Sequence, residues 1–106
     1  MLRVDDKKVF VSRGDTGYLT VRFDGVIPSD GTQALVTLKE NPNKLPVLWE
    51  KQLLVQGGQL LIRLTTAETN FTPDRYFWDV RLFLGGEIVT PVEPQDFVIL
   101  EVVGNV

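Results

Sequence analysis

From Phe71 to Val89 the chain reads Phe-Thr-Pro-Asp-Arg-Tyr-Phe-Trp-Asp-Val-Arg-Leu-Phe-Leu-Gly-Gly-Glu-Ile-Val. Its aromatic and β-branched residues alternate with period two and end at Gly85-Gly86, which predicts a long strand turning through two residues into an antiparallel neighbour. Successive strand side chains point to opposite faces. Tyr76, Trp78, Val80, Leu82 and Leu84 therefore form a core face, and Phe77, Asp79, Arg81 and Phe83 an outer one. Asp79 and Arg81 are expected to make exposed ion pairs with cross-strand partners there, of the kind that contributes little.

The rest of the chain carries the same rhythm. Lys7 to Val11 predicts a first strand, and Ser12 to Asp15 a turn. In Thr16 to Phe23, Gly17, Leu19, Val21 and Phe23 alternate with Tyr18, Thr20 and Arg22, the pattern of a half-buried strand. Asp24-Gly25 closes it, and a loop with Pro28 and Asp30-Gly31 leads to a strand over Gln33 to Lys39. Two prolines keep Glu40 to Pro46 irregular. Val47 to Val55 and Gln59 to Thr65 read as a hairpin about Gly57-Gly58. Thr66 to Thr72 reads as a short helical turn crossing between sheets. After the Tyr76 strand, Glu87 to Thr90 is a short strand, Pro91 and Pro94 bracket a break, and Phe97 to Val103 forms the last strand.

About seven to nine short strands with no ordinary helix describe an all-β, antiparallel two-sheet sandwich, with a small barrel as its competitor. Within this pattern, Pro73-Asp74-Arg75-Tyr76 resembles the tyrosine corner of immunoglobulin-like sandwiches, in which a Tyr hydroxyl bonds to backbone a few residues upstream. Trp78 stands where antibody domains carry their second cysteine. Asp74 replaces the glycine usual two residues before the Tyr, and Asp tolerates a left-handed turn better than most residues.

The 106 residues make one domain, 1–106, large enough to fold without staples. Its 43% hydrophobic and 24% charged content and mean hydropathy of +0.04 are globular values. No run approaches the roughly 20 apolar residues of a membrane span, so a soluble chain is expected. Met1 to Lys8 is charged and unlike a secretory signal, which implies synthesis in a cytoplasm. A net charge of -3, a pI near 4.8 and scattered basic residues argue against nucleic acid as a partner.

There is no histidine and no cysteine, which removes the commonest general base, the commonest metal ligand and the best nucleophile. A carboxylate hydrolase would need two acidic side chains facing each other across a cleft. Asp24 and Asp30, each beside Gly, read as turn residues rather than calcium ligands. Arg13-Gly14-Asp15 spells an integrin-binding tripeptide but reads as an ordinary turn between strands, and Asn70-Phe71-Thr72 fits a glycosylation sequon, which matters only in a secretory pathway that no signal here is expected to open. The expectation is a non-enzymatic protein with no cofactor and no metal.

Several strands are apolar on consecutive residues: Val47-Leu48-Trp49, Leu53-Leu54-Val55, Leu60-Leu61-Ile62 and Phe97-Val98-Ile99-Leu100. A two-layer sandwich buries only one face of each sheet, so the second face must be covered by loops or by a partner. The partner reading makes the chain a homo-oligomer with Phe77, Phe83, Trp49, Phe97 and Ile99 as candidate interface residues. A different reading, a carbohydrate- or protein-binding module on a cell surface, would use Trp49, Tyr18 and Phe77 as a stacking platform.

Phe10 with Arg13-Gly14-Asp15-Thr16, the strand to Phe23, the Asp30-Gly31 turn, Tyr76 to Leu82, Thr90-Pro91 and the Phe97 to Val103 strand together resemble a phage structural domain. The family is the immunoglobulin-like N-terminal domain of upper baseplate proteins in tailed phages of Gram-positive bacteria. The resemblance covers nearly the whole chain. It implies a structural part of the virion tail, made in the host cytoplasm, whose partners are other copies of itself or other tail and baseplate proteins. In that family the domain begins a longer chain with a stalk and distal module, whereas this sequence ends at Val106.

Overall fold

The structure, a computed structural model, describes residues 2–23, 25, 27–43 and 47–102. The expected turn residue Asp24, the Lys44 to Pro46 end of the proline loop and Val103 lie outside them. Eight strands and one helical turn follow in order: β1 Leu2–Asp5, β2 Lys8–Ser12, β3 Gly17–Arg22, β4 Gln33–Lys39, β5 Val47–Leu54, β6 Gln59–Leu64, α1 Thr66–Thr69, β7 Asp74–Leu84 and β8 Glu87–Leu100. They form a six-stranded sheet, β1-β2-β8-β7-β4-β5, packed on a two-stranded sheet, β3-β6. The all-β sandwich is therefore present. Its order β8-β7-β4-β5 over β3-β6 reproduces strands G, F, C and C′ over B and E of a variable-type immunoglobulin domain.

The central hairpin turns at Gly85 and Gly86, with φ of 53° and 88°, as a two-residue turn of primed type requires. On β7 the alternation holds: Tyr76, Trp78, Val80 and Leu82 are buried and Leu84 is half-buried. They meet Val9, Val11, Ala34, Val36, Leu38, Phe97 and Ile99 of the same sheet and Leu19, Leu60, Ile62 and Leu64 of the other in one core. Burying each such side chain is worth about 1.5–3 kcal/mol, which makes this interlayer the source of the fold's stability.

Four expectations are corrected. Residues 2–5 form a strand, because Asp6 and Lys7 make a tight turn without glycine, at φ of 47° and 68°. Gly57-Gly58 makes a turn closed by a Gln56–Gln59 bridge, but β5 and β6 then enter different sheets, so no extended hairpin forms. The break at Pro91 and Pro94 is absent, since β8 runs unbroken for 14 residues. Its register on β7 shifts between Trp78 and Leu82, and irregular pairing of this kind removes the need for a proline N–H. Finally, β2 pairs parallel to β8, so the sheet is mixed rather than purely antiparallel.

Candidate interaction surface

The corner is formed. Tyr76 Oη donates a 2.6 Å hydrogen bond to Thr72 O, and the Phe71 ring packs 6.0 Å away at a tilt. Burial raises the Tyr76 hydroxyl's pKa, helped by Asp74 and Glu40 and opposed by Arg13, so the group stays a donor. Trp78 Nε1 donates to Lys7 O at 2.9 Å, which pins the β1–β2 turn to the core. Asp74 does not adopt the left-handed conformation expected of it, because only Asp6 and Lys7 have positive φ among the described non-glycine residues. Its carboxylate instead accepts from the Arg75 N–H at 2.7 Å.

The short turn α1 closes one flank of the sandwich. Glu68 Oε1 accepts from the Thr65 N–H at 2.8 Å, from Thr65 Oγ1 at 2.9 Å and from Lys51 Nζ at 2.9 Å. Burial alone would raise the Glu68 pKa, but Lys51 and Thr65 together outweigh it and leave the group lowered. Lys51, on the inner face of β5, also donates to Arg63 O on β6, and Trp49 Nε1 donates to Glu68 O at 2.9 Å. These bonds stitch β5, β6 and α1 together.

Three of the five expected interface residues lie inside. Phe97 and Ile99 are 0% and 2% exposed, and the Trp49 ring meets Phe97 edge-on at 6.5 Å. A run of four apolar residues still alternates on a strand, so Phe97 and Ile99 face the core while Val98 and Leu100 face out. Phe77 and Phe83 do lie on the outer face of the six-stranded sheet.

The strand register orders that face into rows. Ile88 of β8, Phe83 of β7, Gln33 of β4 and Leu54 of β5 pair in one row across four strands. Ile88, Phe83 and Leu54 are 61%, 37% and 53% exposed, so the row is an apolar band interrupted by the exposed Gln33. Next come Arg81, Leu35 and Gln52, then Asp79, Thr37 and Glu50, then Asp96, Phe77, Lys39 and Val47. At the far end the Arg3 guanidinium stands over the Phe10 ring at 4.4 Å and that of Arg75 over Phe77 at 5.2 Å. Cations cap the rings at one end, and the apolar band lies bare at the other.

The expected exposed ion pairing of Asp79 and Arg81 with cross-strand partners is not found among the described residues. Asp79 is 9% exposed, and its Oδ1 has no hydrogen-bond partner. Its pKa is raised by burial, against the pull of the Arg81 and Lys39 charges and with the push of Glu50. Leaving a carboxylate oxygen unmet beneath its neighbours costs stability.

The remaining motifs are occupied by structure. Arg13-Gly14-Asp15 lies against α1: the Gly14 N–H donates to Thr69 O, Thr69 Oγ1 donates to Asp15 O, and Arg13 Nε donates to Asn70 Oδ1. Asp30 Oδ1 accepts from the Gly57 N–H at 2.9 Å. No group of three acidic, cysteine or histidine side chains that could hold a metal occurs among the described residues. Tyr18 projects from β3, Trp49 lies between the sheets and Phe77 lies under Arg75, so the three rings make no common platform.

The flank opposite α1 is open. A cleft of about 520 Å³ is lined by Val21, Arg22 and Phe23 on one side and Leu82, Leu84 and Val89 on the other. A smaller cavity of about 120 Å³ adjoins it between Val4 and Leu19 to Arg22. The charged residues among the described lining of both are Lys7 and Arg22, each basic. Sequence reasoning missed this cleft because it depends on which strand lacks a neighbour. It also missed Ile88, whose signal was its place opposite Phe83 across the Gly85-Gly86 turn.

Searches against known proteins place this sandwich in no group: no family model, no curated protein and no solved structure matches the chain.

Proposed function

We propose that the chain is a non-enzymatic structural module that docks through the outer face of its six-stranded sheet. The assembly is of the kind that the resemblance implies, a phage or prophage tail, with the module carried in the virion. The observation that carries this reading is the exposed set of Ile88, Phe83 and Leu54, in register on three strands of the six-stranded sheet. Apolar side chains aligned in register form a surface whose cover is another surface, and interfaces of permanent assemblies resemble a core cut in half. The partner is another copy of the chain or another tail protein. Beside the band, Arg81 and Gln52 supply a polar rim of the sort that gives an interface its register, and Gln33 stands within the row between Phe83 and Leu54.

Replacing Phe83 and Ile88 together by Ser tests it. Neither ring nor branched chain is in the core, so the melting midpoint should hold while self-association weakens by about tenfold or more. Association equal to that of the unaltered protein would remove the band from the interface. Loss of the folded state would place these side chains in the core.

A further inference from the structure

In an immunoglobulin-type sandwich the first strand flanks strand B. Here β1 doubles back onto β2, and β3, which stands in the place of B, pairs only with β6. The Phe23 N–H donates to Gly58 O, so the hydrogen-bonded pairs of the β3–β6 ladder fall on every second residue counted back from Phe23. Tyr18, Thr20 and Arg22 therefore turn their backbone N–H and C=O groups to the other edge, where no strand pairs with them among the described residues.

The strand that belongs in that place is nearby, short and largely exposed. Of β1, Arg3, Val4 and Asp5 are exposed, and Val4 is 50% exposed although it faces the cavity beside Leu19 to Arg22. Leu2 touches β3 already: a Cβ placed on Gly17 would sit 3.0 Å from Leu2 Cδ1. The turn that folds β1 back puts two non-glycine residues in the left-handed region, with Lys7 the less suited of the two. Short strained hinges of this kind favour exchange of an element between copies.

From these observations we infer that β1 is an exchangeable strand. In a pair of copies each β1 leaves its own β2 and adds to the open edge of the partner's β3. The occupant of the edge is a second copy of this chain. Leu2 and Val4, at alternate positions, enter the apolar cleft. Arg3 and Asp5, at the intervening positions, face away from the cleft toward solvent. Departure of β1 also vacates the space beside β3, so one movement both frees the strand and opens its site. Strand addition of this type draws affinity from main-chain bonds and specificity from alternate side chains. This inference rests on the assembly reading but uses a different surface, so the two can fail separately.

Two variants test it. Thr20→Pro removes an N–H from the open edge of β3 while leaving the β3–β6 ladder, and proline is tolerated on strand edges. Val4→Cys with Val9→Cys joins paired positions of β1 and β2 and, when oxidised, locks the hairpin shut. Circular dichroism and melting establish that each variant is folded, and light scattering reads its mass. The expected result is a dimer of the unaltered protein that Thr20→Pro shifts at least tenfold toward monomer, and that the oxidised double variant loses and regains on reduction. Lys7→Gly, which relaxes the turn, should also reduce the dimer. Association that survives both Thr20→Pro and the closed disulfide overturns strand exchange; if Phe83→Ser with Ile88→Ser then abolishes it, the outer-face reading stands alone. An unaltered protein that stays monomeric at every concentration overturns both.

Discussion

Single side chains decide how rigid the site is. The Tyr76 hydroxyl joins β7 to the segment before it, and its bond to Thr72 O closes a loop that the core alone would leave free. Tyr76→Phe should cost about 1 kcal/mol, read as a lower urea midpoint with an unchanged slope. No change in midpoint would remove the corner from the account. Asp79 works in the opposite sense. Its folded pKa lies above its unfolded one, so the folded state binds a proton more readily. Below the unfolded value, near 3.9, the group is neutral in both states and costs nothing electrostatic. As pH rises through the folded value the buried carboxylate becomes charged, and stability falls. Asp79→Asn should therefore stabilise the protein at neutral pH and remove this slope; equal destabilisation at all pH values would contradict it. Glu68 behaves the other way, since its lowered pKa stabilises the fold above the unfolded value and that contribution is lost as pH falls through the folded one. Glu68→Gln should therefore be most damaging at neutral pH.

At the level of elements, the β1–β2 turn stores the clearest strain. Lys7→Gly should add about 0.5–1 kcal/mol, because glycine accepts a left-handed φ at little steric cost while paying some extra chain entropy. The backbone carbonyl that Trp78 bonds to is kept, so the gain should appear in thermal melting without loss of the core. A loss of stability would mean that the Lys7 side chain itself holds the turn. The same turn shows where sequence reading stops. The central hairpin was legible from Tyr76 to Leu84 because period-two patterning and a double glycine act locally. Strand β1 was not, since Asp6-Lys7 lacks the glycine that announces such a turn. Pro91 and Pro94 read as a break because proline lacks a donor, but irregular pairing with β7 leaves them inside one strand. Consecutive apolar residues such as Phe97 to Leu100 looked two-sided, yet alternation alone placed Phe97 and Ile99 in the core. What stayed hidden was register, which sets Ile88, Phe83 and Leu54 in one row and depends on strands far apart in the chain.

Across the whole molecule, the mismatch between the two sheets shapes what is left uncovered. The long strand β8 has 14 residues and reaches roughly 45 Å at 3.3 Å per residue, whereas β3 and β6 have six each and cover roughly 20 Å. The molecule is accordingly elongated, 47 × 29 × 22 Å, and its β7–β8 end carries apolar side chains on the outer face and in the cleft beneath. The polar stitching by Lys51, Trp49 and Glu68 closes only the opposite flank. A chain built this way has a buried interlayer and two surfaces on which apolar groups are left uncovered. Use of these surfaces in assembly, as proposed, can be read from molar mass by light scattering over a dilution series. A closed oligomer of fixed mass that persists on dilution is the expected result. A mass of one chain at every concentration would contradict it.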